Sequence, residues 1–390
     1  MASSREPLAL VMGDVDMVRA LGVAGISTAL FGFEDEAGRY SRHVSAELPW
    51  IDPWDRQEEL VDALLAFAGT QPEAPVLFPQ TDATVLLASR HRERLGQRLR
   101  LMLGDRELIE QLMDKVRFQA LAIDCGLPVP RAQRLHAAPG QRLPSLEIPF
   151  PLVIKPVVRT PGWTHMAGSS KALHALDAEG FAALWPRLAS LDSEILAQEL
   201  VRGPESAIES FHAYVDPSGA LAGAFTGRKL RTFPADYGHS SAVEITPLPD
   251  VAELGRDVLA RLGLKGVAKL DFKRDHAGRL HLLEINPRFN LWHYPAAVAG
   301  VNLPAMVYAD LTGRERPPRA PSPRTVTWCD PLLDMRAARA EGISPLRWLK
   351  WARHCEAKCG LSRQDPLPFL RGRLGPAVWR RRPRYRREAS

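Results

Sequence analysis

A chain of 390 residues, 45% apolar and 25% charged, has room for two or three packed units and the make-up of a soluble globular protein, which excludes a mini-protein scaffold, wholesale disorder and a membrane-embedded body. The formal charge of +6 comes from 51 Lys and Arg against 45 Asp and Glu, but residues 371–390 alone hold eight Arg against Glu388, leaving 43 basic and 44 acidic residues in 1–370. The body is nearly neutral and lacks a basic stripe, which argues against a protein led by nucleic-acid binding.

The start, MASSREPLALVMGD, has a short apolar run, and no stretch approaches the roughly 18 apolar residues of a spanning helix. Four cysteines, Cys125, Cys329, Cys355 and Cys359, make no disulfide framework in a chain this long. Both features fit a cytoplasmic protein.

In chain order, Leu8 to Met12 reads as a strand ending at Gly13-Asp14, Met17 to Val23 as a helix and Ser27 to Phe33 as a second strand. Trp54 to Ala68 has helical spacing at Leu60, Leu64 and Phe67, and Val76 to Phe78 is a buried strand before a helix that Thr81 or Asp82 can cap. This βαβ alternation predicts a parallel sheet. No G-x-G-x-x-G follows the first strand, so a dinucleotide site loses its main support.

From Asp114 the pattern changes. Lys115 to Ala122 is helical, Gly126 to Pro130 breaks it, and Phe150 to Ile154 is a strand delivering Lys155. A Gly/Ser/Thr segment spans Thr160 to Ser170, followed by a helix near Ala178 to Ala189. Ile195 to Val201, Ala207 to Tyr214 and Ala220 to Ala224 read as strands, and Val267 to Lys273 with Leu280 to Asn286 as a hairpin. Residues 314–324 look like a linker.

The hairpin carries the chemistry. In VAKLDFK, Lys269, Asp271 and Lys273 share one face, with Ala268, Leu270 and Phe272 on the other. A two-residue loop at His276-Ala277 would set Asp271 opposite Leu282, on the same face as Glu284 and Asn286. Two carboxylates and an amide oxygen suit Mg²⁺, which completes its shell with water and substrate phosphates. A surface hairpin with alternating charge is the competing reading.

Lys115, Lys155, Gln198-Glu199, Gly203-Pro204-Glu205, Asp271, Glu284, Asn286, Pro287 and Arg288, in this order and spacing, resemble the ATP-grasp superfamily across essentially the whole chain. The runs KLRTFPADYGHSSAVE, KLDFKRD, LLEINPRFNLWHYPAAVAGVNLP and DPLPF resemble the carboxylate-amine ligase group that includes D-aspartate ligase. The resemblance implies an α/β fold: a pre-ATP-grasp (Rossmann-like) domain, 1–113, then a two-subdomain α+β ATP-grasp fold, 114–190 and 191–313. A linker and helical extension, 314–370, and an Arg-rich tail, 371–390, would follow.

The resemblance also implies roles. Lys115 and Lys155 would hold the α and β phosphates of ATP, with Gln198, Glu199, Leu200 and Val201 at the adenine and Glu205 at the ribose. Asp271, Glu284 and Asn286 would hold one or two Mg²⁺ ions, and Arg288 with Lys229 or Arg231 would face the γ-phosphate and an acyl phosphate. The implied enzyme activates a carboxylate, such as that of an amino acid, and couples it to an amine, releasing ADP and phosphate. Other grasp chemistry, of the carboxylase or carbamoyl-phosphate type, and a non-catalytic ATP sensor are the alternatives. The partners are then small-molecule carboxylate and amine substrates rather than nucleic acid. A homodimer, and weak contact of the tail with an anionic surface, are left open.

Other features are read structurally. Cys355 and Cys359 beside His354 would share a helix face but lack an evident fourth metal ligand. Leu346 with Leu349 and Trp348 with Trp351 read as core pairs, and His165 as solvent-exposed.

Overall fold

The computed structural model describes residues 6–158, 160–168, 170, 172–318 and 324–374. Three sheets organise them. The first is parallel, in the order β3-β2-β1-β4, from β1 (Ala9–Met12), β2 (Thr28–Phe31), β3 (Val44–Leu48) and β4 (Val76–Pro79). All four residues of β1, β2 and β4 are buried, as strands covered on both faces must be. Helix Gln57–Gly69 lays Leu60, Val61 and Leu64 on one face. Thr81 caps helix Asp82–Arg90, its hydroxyl accepting from Thr84 N–H. The strand order reverses between β1 and β4, so the loops leaving these two parallel strands flank a crevice.

The second sheet is antiparallel in the order β5-β8-β6-β7, from β5 (Ala132–Ala137), β6 (Leu152–Pro156), β7 (Leu173–Ala175) and β8 (Ser193–Glu199). Helix Ala178–Ala189 covers one face with Phe181, Trp185 and Leu188. Residue 190, the expected end of this unit, falls before β8, which pairs with both β5 and β6. The expected start also shifts, because Phe118 and Ala122 of helix Lys115–Asp124 pack in the core of the third sheet, with Phe211 and Leu270.

That third sheet has seven strands: β9 (Ile208–Val215), β10 (Leu221–Phe233), β11 (His239–Ile245), β12 (Gly266–Arg274), β13 (Leu280–Asn286), β14 (Val326–Cys329) and β15 (Ala357–Lys358), in the order β13-β12-β9-β10-β11-β14-β15. The region expected to be a helical extension therefore supplies two strands as well as helices Pro331–Ala340 and Pro345–Ala352. Cys355 and Cys359 flank β15 rather than sharing a helix face. Trp348 and Trp351 pack beside Cys355 as expected, whereas Leu346 and Leu349 are 82% and 58% exposed.

The expected boundary at 371 falls inside a tight helical turn, Pro368–Arg373. This turn is moored to the N-terminal unit. Arg19, buried, donates to the carbonyls of Gly360 and Asp365, each at 2.7 Å, and the Asp365 carboxylate accepts from Ser41 Oγ at 2.8 Å and Arg42 N–H at 3.0 Å. The Asp365 of DPLPF is thus an anchor. The remaining six arginines of the expected tail lie outside the described residues. Among the described residues no helix is long and apolar enough to cross a membrane.

Candidate functional site

A cleft of about 890 Å³ runs between the three sheets and the C-terminal turn. Its first end is rich in lysine. Strand alternation puts Ala268, Leu270 and Phe272 in the core and turns Lys269, Asp271 and Lys273 toward the cleft. An extra residue, Leu283, bulges from β13, so Phe272 pairs with Leu282 but Asp271 pairs with Glu284 and Lys269 with Asn286. Asp271 therefore faces Glu284 directly, two residues on from the expected Leu282: the bulge supplies one, and a turn that pairs Arg274 with Leu280 supplies the other. Asn286 Nδ2 donates to Glu284 Oε1 at 3.0 Å.

Asp271 is 2% exposed. It accepts from Lys269 Nζ at 2.6 Å and from Ser210 Oγ. Burial pushes its carboxyl up, but the Lys269 and Lys229 charges outweigh this and hold it below the usual carboxylate range. Lys155, on β6, donates to Gln198 Oε1 at 2.9 Å; burial lowers its ammonium, opposed by Glu284 and Glu205. Lys273 is lowered by burial in the same way, and its Nζ lies 3.9 Å from Glu205. Lys115 Nζ donates to the Pro156 carbonyl at 3.4 Å. Arg288 pairs with Asp82 and donates to the Gln80 carbonyl at 3.1 Å, tying this wall to the parallel sheet.

An Asp, a Glu and an amide oxygen grouped beside several ammonium groups match the donor chemistry of a hard divalent cation shared with polyphosphate. Among the described residues no three His, Cys, Asp or Glu side chains form a metal cluster of their own.

The second end of the cleft is rich in carboxylates. Asp14 and Asp16, at the cap and first turn of the helix after β1, and Glu36, from the loop after β2, meet Asp330 and Arg373 there.

Residues 193–331 match the family model described as ATP-grasp in the biosynthetic pathway with Ter operon. That stretch, 139 of the 390 residues, is similar to the ATP-grasp family. The chain is 25% identical over 285 residues to a D-aspartate ligase of Enterococcus faecium, an alignment covering 70% of this chain and 67% of the relative. It is 27% identical over 215 residues to a D-alanine–D-alanine ligase of Pseudomonas putida, covering 51% of this chain and 63% of that protein. The chain thus spans a little under two thirds of the D-alanine–D-alanine ligase it matches. Among solved structures, an L-amino acid ligase from Bacillus licheniformis superposes with a TM-score of 0.61 at 14% identity, over 83% of this chain and 79% of the other. An N5-carboxyaminoimidazole ribonucleotide synthetase in its ADP complex gives 0.61 at 12% identity, over 84% and 82%. These two carry the α/β fold.

The cleft brings together Lys115, Lys155, Gln198, Glu199, Leu200, Val201, Glu205, Lys229, Asp271, Glu284, Asn286 and Arg288. Arg231 does not line it. Leu230 bulges from β10, so Lys229 pairs with Val243 and Arg231 with Ala242, adjacent partners that point to opposite faces. Arg231 Nε and Nη2 instead donate to Asp334 at 2.8 and 2.7 Å, and its guanidinium stacks 4.0 Å from the Trp351 ring. Ser241 Oγ and Trp348 Nε1 complete the shell of Asp334 at 2.9 and 2.8 Å. Arg231 is a structural residue.

The Thr160–Ser170 segment holds a short helix, Pro161–Ala167, whose Trp163 is fully buried; His165 is exposed and outside the cleft. Sequence reasoning missed Tyr237, which lines the cleft and bonds His174 across to the second sheet at 2.5 Å. It also missed Asp14, Asp16 and Glu36, and it assigned Arg373 to a detached tail.

Proposed function

We propose that the chain is a cytoplasmic, ADP-forming carboxylate-amine ligase using ATP and Mg²⁺. The observation that carries this reading is Asp271 set directly opposite Glu284, with Asn286 two residues on, in a wall that also presents Lys155 and Lys229. In this reading the parallel sheet is the pre-ATP-grasp domain and the other two sheets form the two-part grasp. Lys115 and Lys155 hold the α and β phosphates, Gln198 to Val201 the adenine edge and Glu205 the ribose. Asp271, Glu284 and Asn286 hold Mg²⁺, which when bound neutralises charge between the phosphates.

A carboxylate resists attack because the nucleophile must add charge to an anion. A carboxylate oxygen therefore attacks the γ-phosphorus, the bond from phosphorus to the ADP oxygen breaks, and ADP leaves. An amine nitrogen then attacks the acyl carbon, the bond to the phosphate oxygen breaks, and the nitrogen gives up a proton as phosphate departs. Lys155, Lys229 and Arg288 hold the acid in line and offset the spreading negative charge. The relatives' printed activities, joining D-alanine to D-alanine and acting on D-aspartate or L-amino acids, support an amino acid as one substrate.

The test is ADP release from the purified chain against pairs of amino acids and amines, with hydroxylamine as a substitute amine that traps the activated acid as a hydroxamate. Glu284→Gln is expected to keep the fold and lose both signals. Undiminished ADP release in that variant overturns the assignment.

A further inference from the structure

The carboxylate-rich end of the cleft is built by segments from the two ends of the chain. Asp14 caps helix Val15–Val23, accepting from the N–H groups of Asp16 at 3.0 Å and Met17 at 3.2 Å. Asp16 lines the cleft, is 1% exposed, and its Oδ1 has no hydrogen-bond partner among the described residues. Glu36 accepts from Gly38 N–H at 3.2 Å. The Arg19 and Arg373 charges and the Cys359 thiol favour the Asp16 carboxylate, but burial and the Asp14 charge outweigh them, so a carboxylate with one oxygen unpartnered gains from a further cation.

Opposite these groups stands Arg373. Its Nη1 lies 2.7 Å from Asp330 Oδ1, and a quarter of its side chain is open, at 25%. A guanidinium carries five N–H donors in a planar fork that matches a carboxylate, so one partner on Nη1 leaves donors for a second anion. The backbone that delivers it is closely fitted. A Cβ on Gly372 would fall 2.6 Å from the Cα of Ala37, so only glycine allows the turn this close to the N-terminal unit.

We infer that this end of the cleft binds a zwitterionic ligand, its ammonium among Asp14, Asp16 and Glu36 and its carboxylate on Arg373, making the C-terminal turn a specificity-determining wall. Burial raises the carboxyls of Asp14 and Asp16 and pushes Glu36 up to about 7; an ammonium in their midst relieves that strain. Taking the ligand to be an amino acid substrate rests on the ligase reading, but binding can be followed without turnover.

The experiment titrates the full chain, without ATP, with each of the twenty protein amino acids, D-alanine and D-aspartate. Tryptophan fluorescence is the readout, since Trp50 and Trp328 line this end. The α-carboxamide of the tightest binder serves as the probe lacking a carboxylate. Expected is saturable binding that Arg373→Gln weakens by about tenfold or more. That variant should also abolish the preference for carboxylate over carboxamide. Arg373→Lys keeps a charge beside Asp330 and guards against a folding defect; it should bind with intermediate affinity. Hydroxamate formation, read in parallel, reports on the ligase reading separately. Arg373-dependent binding with no hydroxamate from wild type keeps the site and sinks the ligase. Binding that both variants leave unchanged, or no binding by wild type, overturns the inference.

Discussion

The two ends of the cleft are charged oppositely and assembled differently. At the lysine-rich end the functional groups ride on strands of the second and third sheets, and most of their facing follows from alternation along β6, β10 and β12. At the carboxylate-rich end they sit at the helix start after β1 and in the loop after β2, and a balancing cation arrives from the last described turn of the chain. A polyphosphate site needs cations at fixed spacings, which rigid strands supply. The site facing it needs only that loops and a terminus meet, so its composition is free to follow the ligand.

The largest effect expected tests which residues belong to the lysine-rich end at all. Arg231 lies two residues from Lys229 but joins Asp334, whose side chain is 0% exposed against 12% for the arginine. Arg231→Ala should cost stability, about 3–5 kcal/mol, because it strands a buried carboxylate. The Michaelis constant for ATP should hold in the folded fraction. A thermal midpoint equal to wild type, with turnover lost, would return Arg231 to the reaction.

Next in size is a contrast between the ends. Lys155→Ala removes a buried ammonium among Gln198, Glu205 and Glu284 and should slow ADP release and hydroxamate formation together, by about a hundredfold to a thousandfold. Arg373→Gln should leave hydroxamate formation within about twofold, since a carboxylate held on Arg373 is turned away from the lysine-rich end, which makes the zwitterion the amine substrate, and hydroxylamine replaces it without a carboxylate. If both variants lose hydroxamate alike, the cleft is one functional unit rather than two.

The same contrast explains what the sequence could tell. The β12 alternation, the parallel first sheet and the Thr81 cap were legible because period-two burial and side-chain capping are local. Two bulges were not. Leu283 brings Glu284 opposite Asp271, and Leu230 turns Arg231 away from the cleft; each depends on how a partner strand accommodates one extra residue. The Arg373 contact was hidden for another reason. Eight arginines near a terminus read as a solvated run, and only the tertiary anchoring of Asp365 by Ser41 and Arg42 separates Arg373 from the rest. The pairing of β14 with β11 was equally out of reach, since nothing local in VTWC names its partner.

The smallest effect expected concerns Glu36 and reads the carboxylate-rich end without any ligand. Burial raises its carboxyl from 4.5 to about 7, Asp14 adds to the rise, and the N–H groups of Gly38 and Val15 and the Arg373 charge oppose it. The folded state therefore holds a proton that the unfolded state has released. Stability from this group is fully present below about pH 4.5 and is lost as pH rises to about 7. Glu36→Gln keeps an oxygen for the Gly38 N–H and removes the titration. It should raise the thermal midpoint at pH 8, and the gain should shrink to nothing by pH 4.5. The lysine-rich end works in the opposite sense, because burial lowers the ammonium groups of Lys155 and Lys273, and groups lowered in the folded state favour it as pH rises. Melting curves of wild type and Glu36→Gln that run parallel from pH 4.5 to pH 8 would show that Glu36 is solvated, and the carboxylate cluster would lose the strain that an ammonium is expected to relieve.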